Sequence, residues 1–244
     1  MIAQRLLDAG RALSAALADS RWPAPVAHVH DPFQYAWAPY EAYVRRYGAT
    51  RKRVVLVGVN PGPFGMMQTG VPFGEVAAVR DWLGLAGTVI RPAHEHPLRT
   101  IEGFACRRSE ASGKRFWGWA AQRFGTAEAF FRECFVLTYC PLVFLEASGR
   151  NFTPDRLPAQ SRGRLVEACD RHLVEAIDAL APAWAIGIGA FAEKRLQAAL
   201  PPGRARIGRI LHPSPASPAA NRGWAAAVDL ELARLGVLPR SVQA

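Results

Sequence analysis

Two polar residues stand where predicted strands run into loops rich in proline and glycine. Asn60 follows the apolar run 53–59 and belongs to the segment 58–74, which holds three prolines and five glycines. This composition, rigid at proline and permissive at glycine, suits a preformed pocket wall. The Asn60 amide offers a donor and an acceptor, although a turn asparagine often bonds its own backbone. His212 follows the run 207–211 and offers an imidazole, although a single histidine is more often a surface or satisfied polar residue.

Several kinds of chemistry are disfavoured by the motifs. The segment 58–74 lacks the Gly-Lys-Ser/Thr of a phosphate-binding loop and the G-x-G-x-x-G spacing of a dinucleotide-binding fold. No C-x-x-C pair and no His-x-x-x-His motif occurs, so we expect neither a metal nor an iron–sulfur site. The cysteines are Cys106, Cys134, Cys140 and Cys169. Buried reduced thiols are their expected state, which fits a cytosol-like compartment. With only three lysines, Schiff-base chemistry has few candidates.

The charge balance points to a polyanionic partner. The 244 residues include 30 Lys and Arg against 20 Asp and Glu, a formal net charge of +10. Nucleic acid is the usual partner of such an excess, and a basic protein without such a partner is the alternative. Half of the residues are apolar, enough for a sizeable core. Because no secretory pattern opens the chain and no apolar run approaches about 18 residues, we expect a soluble intracellular protein and no membrane partner.

Strand-like and helix-like segments alternate along the chain. Apolar, β-branched runs predict strands buried on both faces at 53–59, 134–139, 184–189 and 207–211. Helical periodicity predicts helices over 2–19, 114–124 and 164–180. The alternation indicates an α/β fold with a mainly parallel sheet. We expect one domain over 1–244, with the N-terminal helix and connector of 1–50 packed on it.

Ligands of such folds bind where loops leave the carboxyl ends of the strands. This rule selects the loops after Val59, Tyr139 and Leu211. Asn60 and His212 open two of these loops, so the sequence predicts that both side chains face one cleft.

Taken together, the two loops resemble a known family. GxNPGPFGMxQTGVPFG at 58–74, paired with HPSPxxPxANxGW at 212–224, closely resembles the single-strand-selective monofunctional uracil-DNA glycosylases of the uracil-DNA glycosylase superfamily. The resemblance covers most of the chain. Further matching segments lie at 31–37, 95–97, 109–117, 140–142 and 148–151.

The resemblance implies a fold and an activity. It implies a three-layer α/β/α fold with a short central sheet, and hydrolysis of the N-glycosidic bond of uracil and some 5-modified uracils in DNA. The reaction leaves an abasic site and uses no metal, no cofactor and no covalent intermediate. Asn60 would hold the attacking water beneath the sugar C1′, and His212 would donate a hydrogen bond to uracil O2 as the base leaves as an anion. A neutral imidazole suffices for this donation. Neither loop carries an aspartate to act as a base, so an amide would position the water.

The same resemblance assigns residues to the extruded base. Phe73 would stack on it, Val59 would contribute backbone contacts, and Gly62 and Met66 would line its 5-side, where small size admits substituents. For Phe73 and Met66, ordinary core packing is the alternative. Extruding a base from a duplex costs a few kcal/mol.

Two loops would help to offset the cost of extrusion by contacting the strand. One supplies Pro213, Ser214, Pro215 and Ala216 as a wedge. The other spans Ser148–Arg162 and includes Gly149. Arg150, Asn151 and Arg162 are candidate phosphate partners, with simple solvation of the arginines as the alternative. The implied partner is DNA, single-stranded or in a mismatched duplex, bound by a monomer.

Two positions depart from the family pattern. The family commonly has Asn at Thr138, where the amide reads O4 and N3–H of uracil. One hydroxyl does not supply that donor and that acceptor together, so we expect weaker discrimination against cytosine or a shifted base preference. Ala216 stands where better-known relatives carry an Arg that enters the duplex, so we expect poorer invasion of well-paired DNA.

The sequence is also compatible with other functions. Within enzymes, the alternative is a preference for another deaminated or oxidised base. A catalytically weak protein that binds damaged DNA is a second possibility, although binding alone needs neither Asn60 nor His212. A dinucleotide-dependent oxidoreductase is the most distant one. The expected location is cytoplasmic, with the nucleoid in a bacterium or the nucleus in a eukaryote.

Overall fold

Seven strands form two sheets in the part of the chain that the computed structural model describes, residues 1–238; the last six residues of the predicted domain, 239–244, lie outside it. The strands are β1 Val26–His30, β2 Val54–Gly58, β3 Cys134–Thr138, β4 Val143–Glu146, β5 Asn151–Phe152, β6 Trp184–Ile188 and β7 Arg206–Ile210. One sheet has the order β3-β2-β6-β7 and the other has the order β1-β4-β5.

Helices surround the sheets. They are α1 Ile2–Leu17, α2 Pro32–Tyr35, α3 Trp37–Tyr47, α4 Met66–Thr69, α5 Ala111–Phe124, α6 Ala127–Glu133, α7 Ala159–Leu180, α8 Ala190–Ala199, α9 Pro218–Asn221 and α10 Trp224–Arg234. A π-helical turn lies at Ala78–Trp82, and 3-10 turns lie at Gly103–Ala105 and Pro154–Arg156.

The four-stranded sheet is parallel throughout, and it consists of the four predicted strands. Every residue of β2, β3 and β6 is buried, which is the pattern of strands covered by helices on both faces. β7 lies at the edge of the sheet, and its Arg206 and Arg209 are exposed. The prediction that this strand is buried on both faces is therefore wrong, because no further strand within residues 1–238 pairs with its outer edge. The predicted class, α/β with a short, mainly parallel central sheet, is confirmed.

The antiparallel sheet was not predicted. β1 lies in the connector between the first helix and the first predicted strand, and the sequence Val-Ala-His-Val-His lacks a clear apolar alternation. β5 has only two residues, too few to give a period. This sheet matters for the site because Asn151 pairs with Leu145 of β4, which fixes the backbone position of Asn151.

The three predicted helices are present; α1 starts as predicted and ends two residues early, at Leu17, whereas α5 and α7 start earlier than predicted. α1 packs on α7 through the predicted face, with Leu6, Leu13 and Leu17 buried. α5 begins at Ala111 instead of 114, because the Glu110 side chain accepts a hydrogen bond from the Gly113 amide at 2.7 Å and so caps the helix. α7 begins at Ala159, five residues before the predicted start.

The remaining features concern the cysteines, metals and membranes. All four cysteines are buried and free. Within residues 1–238, no group of three or more His, Cys, Asp or Glu side chains is placed to hold a metal ion. No helix of the described chain is long and apolar enough to cross a membrane.

Two glycines of α5 lead to opposite predictions. A Cβ at Gly113 would lie 2.2 Å from the Phe73 carbonyl oxygen, whereas a Cβ at exposed Gly118 meets nothing within 4 Å. Gly113→Ala should therefore destabilise the protein by about 1–3 kcal/mol through overpacking. Gly118→Ala should stabilise it by about 0.5–1 kcal/mol, because alanine loses less conformational entropy in a helix. Urea unfolding of both variants measures the difference, and equal midpoints would contradict the packing described here.

Candidate active site

A pocket opens at the carboxyl edge of the parallel sheet. It encloses about 390 Å³, within the range of small-molecule sites. Three strand ends contribute to it: Asn60 follows β2, Thr138 closes β3, and His212 follows β7. The other lining residues are Gly58, Val59, Pro61, Gly62, Met66, Phe73, Glu110, Ser112, Asn151, Thr153, Asp155, Phe191 and Ser214. The expectation that Asn60 and His212 share one cleft is confirmed.

His212 is held as a neutral hydrogen-bond donor. Its Nδ1 accepts a hydrogen bond from the Ser214 backbone amide at 3.1 Å. A backbone amide only donates, so Nδ1 carries no proton and the proton of the neutral ring lies on Nε2. Burial lowers the pKa of His212 to about 4. The ring therefore offers one N–H donor at neutral pH and carries no charge.

The loop after His212 is braced from two helices. Arg115 of α5 donates to the Pro213 carbonyl oxygen at 3.1 Å and to Asn221 Oδ1 at 2.7 Å. Asn221 of α9 in turn donates to the Pro215 carbonyl oxygen at 2.9 Å. These bonds fix a proline-rich turn that has no regular structure of its own. No role for Arg115 was predicted from the sequence, although this residue lies within the matching segment 109–117.

The strand end before His212 is anchored as well. The Trp224 indole donates to the Leu211 carbonyl oxygen at 2.7 Å, and the Leu211 amide donates to a Glu231 carboxylate oxygen at 2.7 Å. Both partners belong to α10, so this helix sets the position from which His212 enters the pocket.

Phe73 presents an aromatic ring in a strained backbone conformation. Its φ is +53°, in the left-handed region, and its ring stacks on Phe116 with centroids 4.9 Å apart. The Trp117 indole donates to the Phe73 carbonyl oxygen at 2.9 Å. Gly58 allows the ring to approach, since a Cβ there would lie 2.8 Å from Phe73 Cε2. The site thus has a fixed aromatic wall, 6.3 Å between centroids from the His212 ring.

Met66 and Gly62 line the same pocket. Met66 is only 1% exposed and belongs to the main core, so core packing and pocket lining are compatible for this residue. A Cβ at Gly62 would lie 3.2 Å from a Glu110 carboxylate oxygen. The Glu110 side chain therefore leaves little room for a side chain at position 62 of the pocket wall.

Two carboxylates to which the sequence assigned no role also line the pocket. Glu110, the cap of α5, lines it, and burial raises the pKa of its carboxyl against the lowering effect of hydrogen bonds from Gly113 and Ser112. Asp155, in the 3-10 turn after β5, lines it too. Glu110 lies in the matching segment 109–117 and Asp155 lies in the loop 148–162, but neither side chain was predicted to line the site.

Two side-chain amides leave polar atoms unpaired. Asn60 Nδ2 is buried and has no hydrogen-bond partner, and the same holds for Asn151 Oδ1. Asn151 Nδ2 donates to the Pro61 carbonyl oxygen at 3.2 Å. Buried polar atoms are rarely left unpaired, so both atoms suit a polar ligand.

The other residues assigned to DNA lie outside the pocket lining. Ser148, Gly149 and Arg150 form the turn between β4 and β5, where Gly149 has φ +75° and donates to Glu146. Arg162 donates to the Asp155 carbonyl oxygen at 2.9 Å. Pro213 is buried, while Pro215 and Ala216 are exposed. Because Asn151 and Ser214 line the pocket, both segments adjoin it.

The sequence is similar to those of proteins of a known family. A model of the uracil DNA glycosylase superfamily matches residues 45–230. The chain is 46% identical over 240 residues to the single-strand selective monofunctional uracil-DNA glycosylase of Rattus norvegicus, covering 98% of this chain and 86% of the relative. The corresponding protein of Bos taurus is 49% identical over 216 residues, with 88% and 79% covered.

A solved structure shares the fold. The crystal structure of wild-type Pedobacter heparinus SMUG2 superposes with a TM-score of 0.69 at 19% identity, and 98% of this chain and 99% of that chain are covered. This likeness shows the fold, and the family model and the relatives show the family: the chain belongs to the single-strand selective monofunctional uracil-DNA glycosylase family of the uracil DNA glycosylase superfamily.

Proposed function

We propose that this protein hydrolyses the N-glycosidic bond of uracil in DNA and leaves an abasic site. The observation that carries the proposal is the meeting of Asn60 and a neutral, Nε2-protonated His212 in one pocket walled by Phe73. The pocket is recessed below the protein surface, so a base must leave the helical stack to enter it. This extrusion is the base-flipping strategy of DNA glycosylases.

The chemistry follows from the charges that develop. As the glycosidic bond lengthens, positive charge develops on the sugar and negative charge on the base. His212 donates from Nε2 to uracil O2, and this donation strengthens as the oxygen gains charge, so it stabilises the transition state more than the ground state. Asn60 holds the water that attacks C1′. None of the residues that line the pocket in the described chain is a lysine, and the proposed enzyme is monofunctional.

The base is recognised by stacking and by shape. Phe73 provides the stacking surface, the Val59 backbone contacts the base, and Gly62 and Met66 face its 5-side. Thr138, 7% exposed at the end of β3, reads the Watson–Crick edge with a single hydroxyl. The same position supports the second candidate function, excision of another deaminated or oxidised base.

The DNA substrate is proposed to be single-stranded or mismatched. Ala216 is exposed and carries no long cationic side chain, so the wedge of Pro213, Ser214, Pro215 and Ala216 does little to open paired DNA. Ser148, Gly149, Arg150, Asn151 and Arg162 are the proposed contacts of the second loop. We further propose that a monomer acts, in the cytoplasm or the compartment that holds the DNA.

Removing either polar group should abolish most of the activity. Asn60→Ala should lower the single-turnover rate on a uracil-containing single-stranded oligonucleotide about 100-fold through loss of water positioning. His212→Ala should lower it by about 100- to 1000-fold through loss of a donor to the leaving anion. Alkaline cleavage of the abasic product on a gel measures both rates. Wild-type protein that binds the oligonucleotide without producing abasic sites would indicate a damaged-DNA-binding protein instead.

The excision rate should be independent of His212 titration near neutrality. Since burial lowers the pKa of His212 to about 4, the ring stays neutral from pH 8 to pH 5 and the Nε2–H donor is retained. Single-turnover rates over this range should show no transition near pH 6.5, the ordinary pKa of histidine. A rate that falls with an apparent pKa near 6.5 in wild type would show that His212 acts from a solvated position.

The free energy of unfolding should depend on pH in the range where the excision rate does not. His30 and His172 also have pKa values lowered to about 4 by burial. The unfolded chain takes up protons near pH 6.5 while the folded chain does not, so stability falls as the pH decreases from about 6.5 towards 4. Urea midpoints at several pH values measure this loss and define the range in which rates are compared.

Thr138→Asn should sharpen base selection. An amide supplies a donor and an acceptor together, so the variant should favour uracil over cytosine by an additional factor of about 10 to 100, equivalent to about 1–3 kcal/mol for a buried polar contact. Rates on uracil, cytosine and a panel of oxidised and deaminated bases measure this. A wild type that prefers one of the other bases, with uracil restored by Thr138→Asn, would support the second candidate function.

A further inference from the structure

We infer that Asn151 is a second catalytic residue, which accepts a hydrogen bond from the attacking water while Asn60 donates to it. The inference rests on the proposed function and gives Asn151 a different role from the phosphate contact expected from sequence. It starts from two buried atoms without partners in the same pocket, the donor Asn60 Nδ2 and the acceptor Asn151 Oδ1.

Asn151 is bonded to the backbone of the residue next to Asn60, and both asparagines line the same pocket. Asn151 Nδ2 donates to the carbonyl oxygen of Pro61, the residue that follows Asn60. This bond also decides which end of the Asn151 amide is which, because a carbonyl oxygen accepts only from the NH₂ group. The oxygen is thereby directed away from Pro61 and is left as an unpaired acceptor.

The Asn151 backbone is fixed independently of its side chain. Asn151 pairs with Leu145 in the antiparallel sheet, and the preceding turn is closed by bonds between Glu146 and Arg150 and between Gly149 and Glu146, at 2.9 and 2.8 Å. An acceptor on this framework costs little ordering when a water binds, which is what catalysis by positioning requires.

A complementary donor and acceptor suit one water molecule. A water that accepts from Asn60 Nδ2 and donates to Asn151 Oδ1 uses one lone pair and one hydrogen, so its second lone pair is available to attack C1′. Buried waters typically make about three hydrogen bonds to groups that otherwise lack partners. Asn60 and Asn151 provide two of these bonds, and the third direction around the water oxygen is left free for the attack on C1′.

The step is balanced without a basic side chain. The water oxygen forms a bond to C1′ and the C1′–N1 bond breaks, with its electron pair leaving on uracil N1. The proton lost by the water ends on the uracil anion, so the products are abasic DNA and neutral uracil. Asn151 takes up no proton; it orients the O–H bond and stabilises the positive charge that develops on the water.

The main alternative role for Asn151 is a hydrogen bond to the extruded base. The bond to Pro61 places Asn151 beside the residue that follows Asn60, the proposed water ligand, whereas the base-reading candidate Thr138 belongs to β3. The two roles differ in what they predict for binding, because a water ligand affects the rate and a base ligand affects affinity as well.

The test compares rate and affinity in a double-mutant cycle. Single-turnover uracil excision from a single-stranded oligonucleotide is measured for wild type, Asn60→Ala, Asn151→Ala and the double variant. Affinity is measured by anisotropy on the same oligonucleotide carrying non-hydrolysable 2′-fluoro-2′-deoxyuridine. Asn151→Ala should lower the rate about 100-fold and change the affinity less than twofold. The double variant should be no slower than the slower single variant, because both residues act on one water.

Asn151→Asp separates the acceptor from the bond to Pro61. It keeps an acceptor and loses the donor, so its rate should exceed that of Asn151→Ala and should rise with pH as the carboxylate ionises. Equal rates of the two variants, or an Asn151→Ala rate within twofold of wild type, would overturn the inference.

The remaining outcomes assign Asn151 elsewhere and also overturn the inference. A matching loss of affinity for the fluorinated uracil would place Asn151 on the base. Weaker binding to a uracil-free oligonucleotide, with a smaller salt dependence, would place it on a phosphate. Inactive wild-type protein would instead reject the proposed function, which keeps the two failures distinct.

Discussion

The parallel pairing of β2, β3, β6 and β7 is the constraint on which the rest of the site depends. Parallel strands deliver all their carboxyl ends to one edge, so the residues that follow them converge whatever the length of chain between them. Gly58 pairs with Thr138, and His212 follows β7 two strands away, past β6. Asn60 and His212 are 152 positions apart in sequence and line one pocket.

The electrostatic character of the pocket differs from that of the whole protein. The chain carries a net charge of +10, which favours a polyanion at long range, yet the candidate donor to the leaving base is a neutral imidazole. A neutral donor is easier to bury than a cation, since burial of an unpaired charge is costly. Two carboxylates, Glu110 and Asp155, line the same pocket. General attraction for DNA and local stabilisation of charge are thus separate properties of the molecule.

Packing around Phe73 shows how the site is supported from behind. Phe73 has a left-handed backbone, Gly58 leaves room for its ring, and Gly113 leaves room for its carbonyl oxygen. Two residues of α5 hold it: Phe116 stacks on the ring and Trp117 donates to the carbonyl oxygen. Strained conformations persist only when their surroundings over-determine them. The same helix supplies Arg115, which braces the turn after His212. α5 therefore couples the aromatic wall to the loop that carries the imidazole.

The sequence by itself determined the four parallel strands, the α/β class and the two loops that carry Asn60, Phe73 and His212, because these depend on local composition and on the rule that parallel strands share an edge. It also showed the family, through motifs at fixed spacing. Only the tertiary structure decided the proton position on His212, the approach of Glu110 to Gly62, and the place of Asn151 beside Pro61. Each of these depends on a contact between segments far apart in the chain, with no periodic pattern to reveal it.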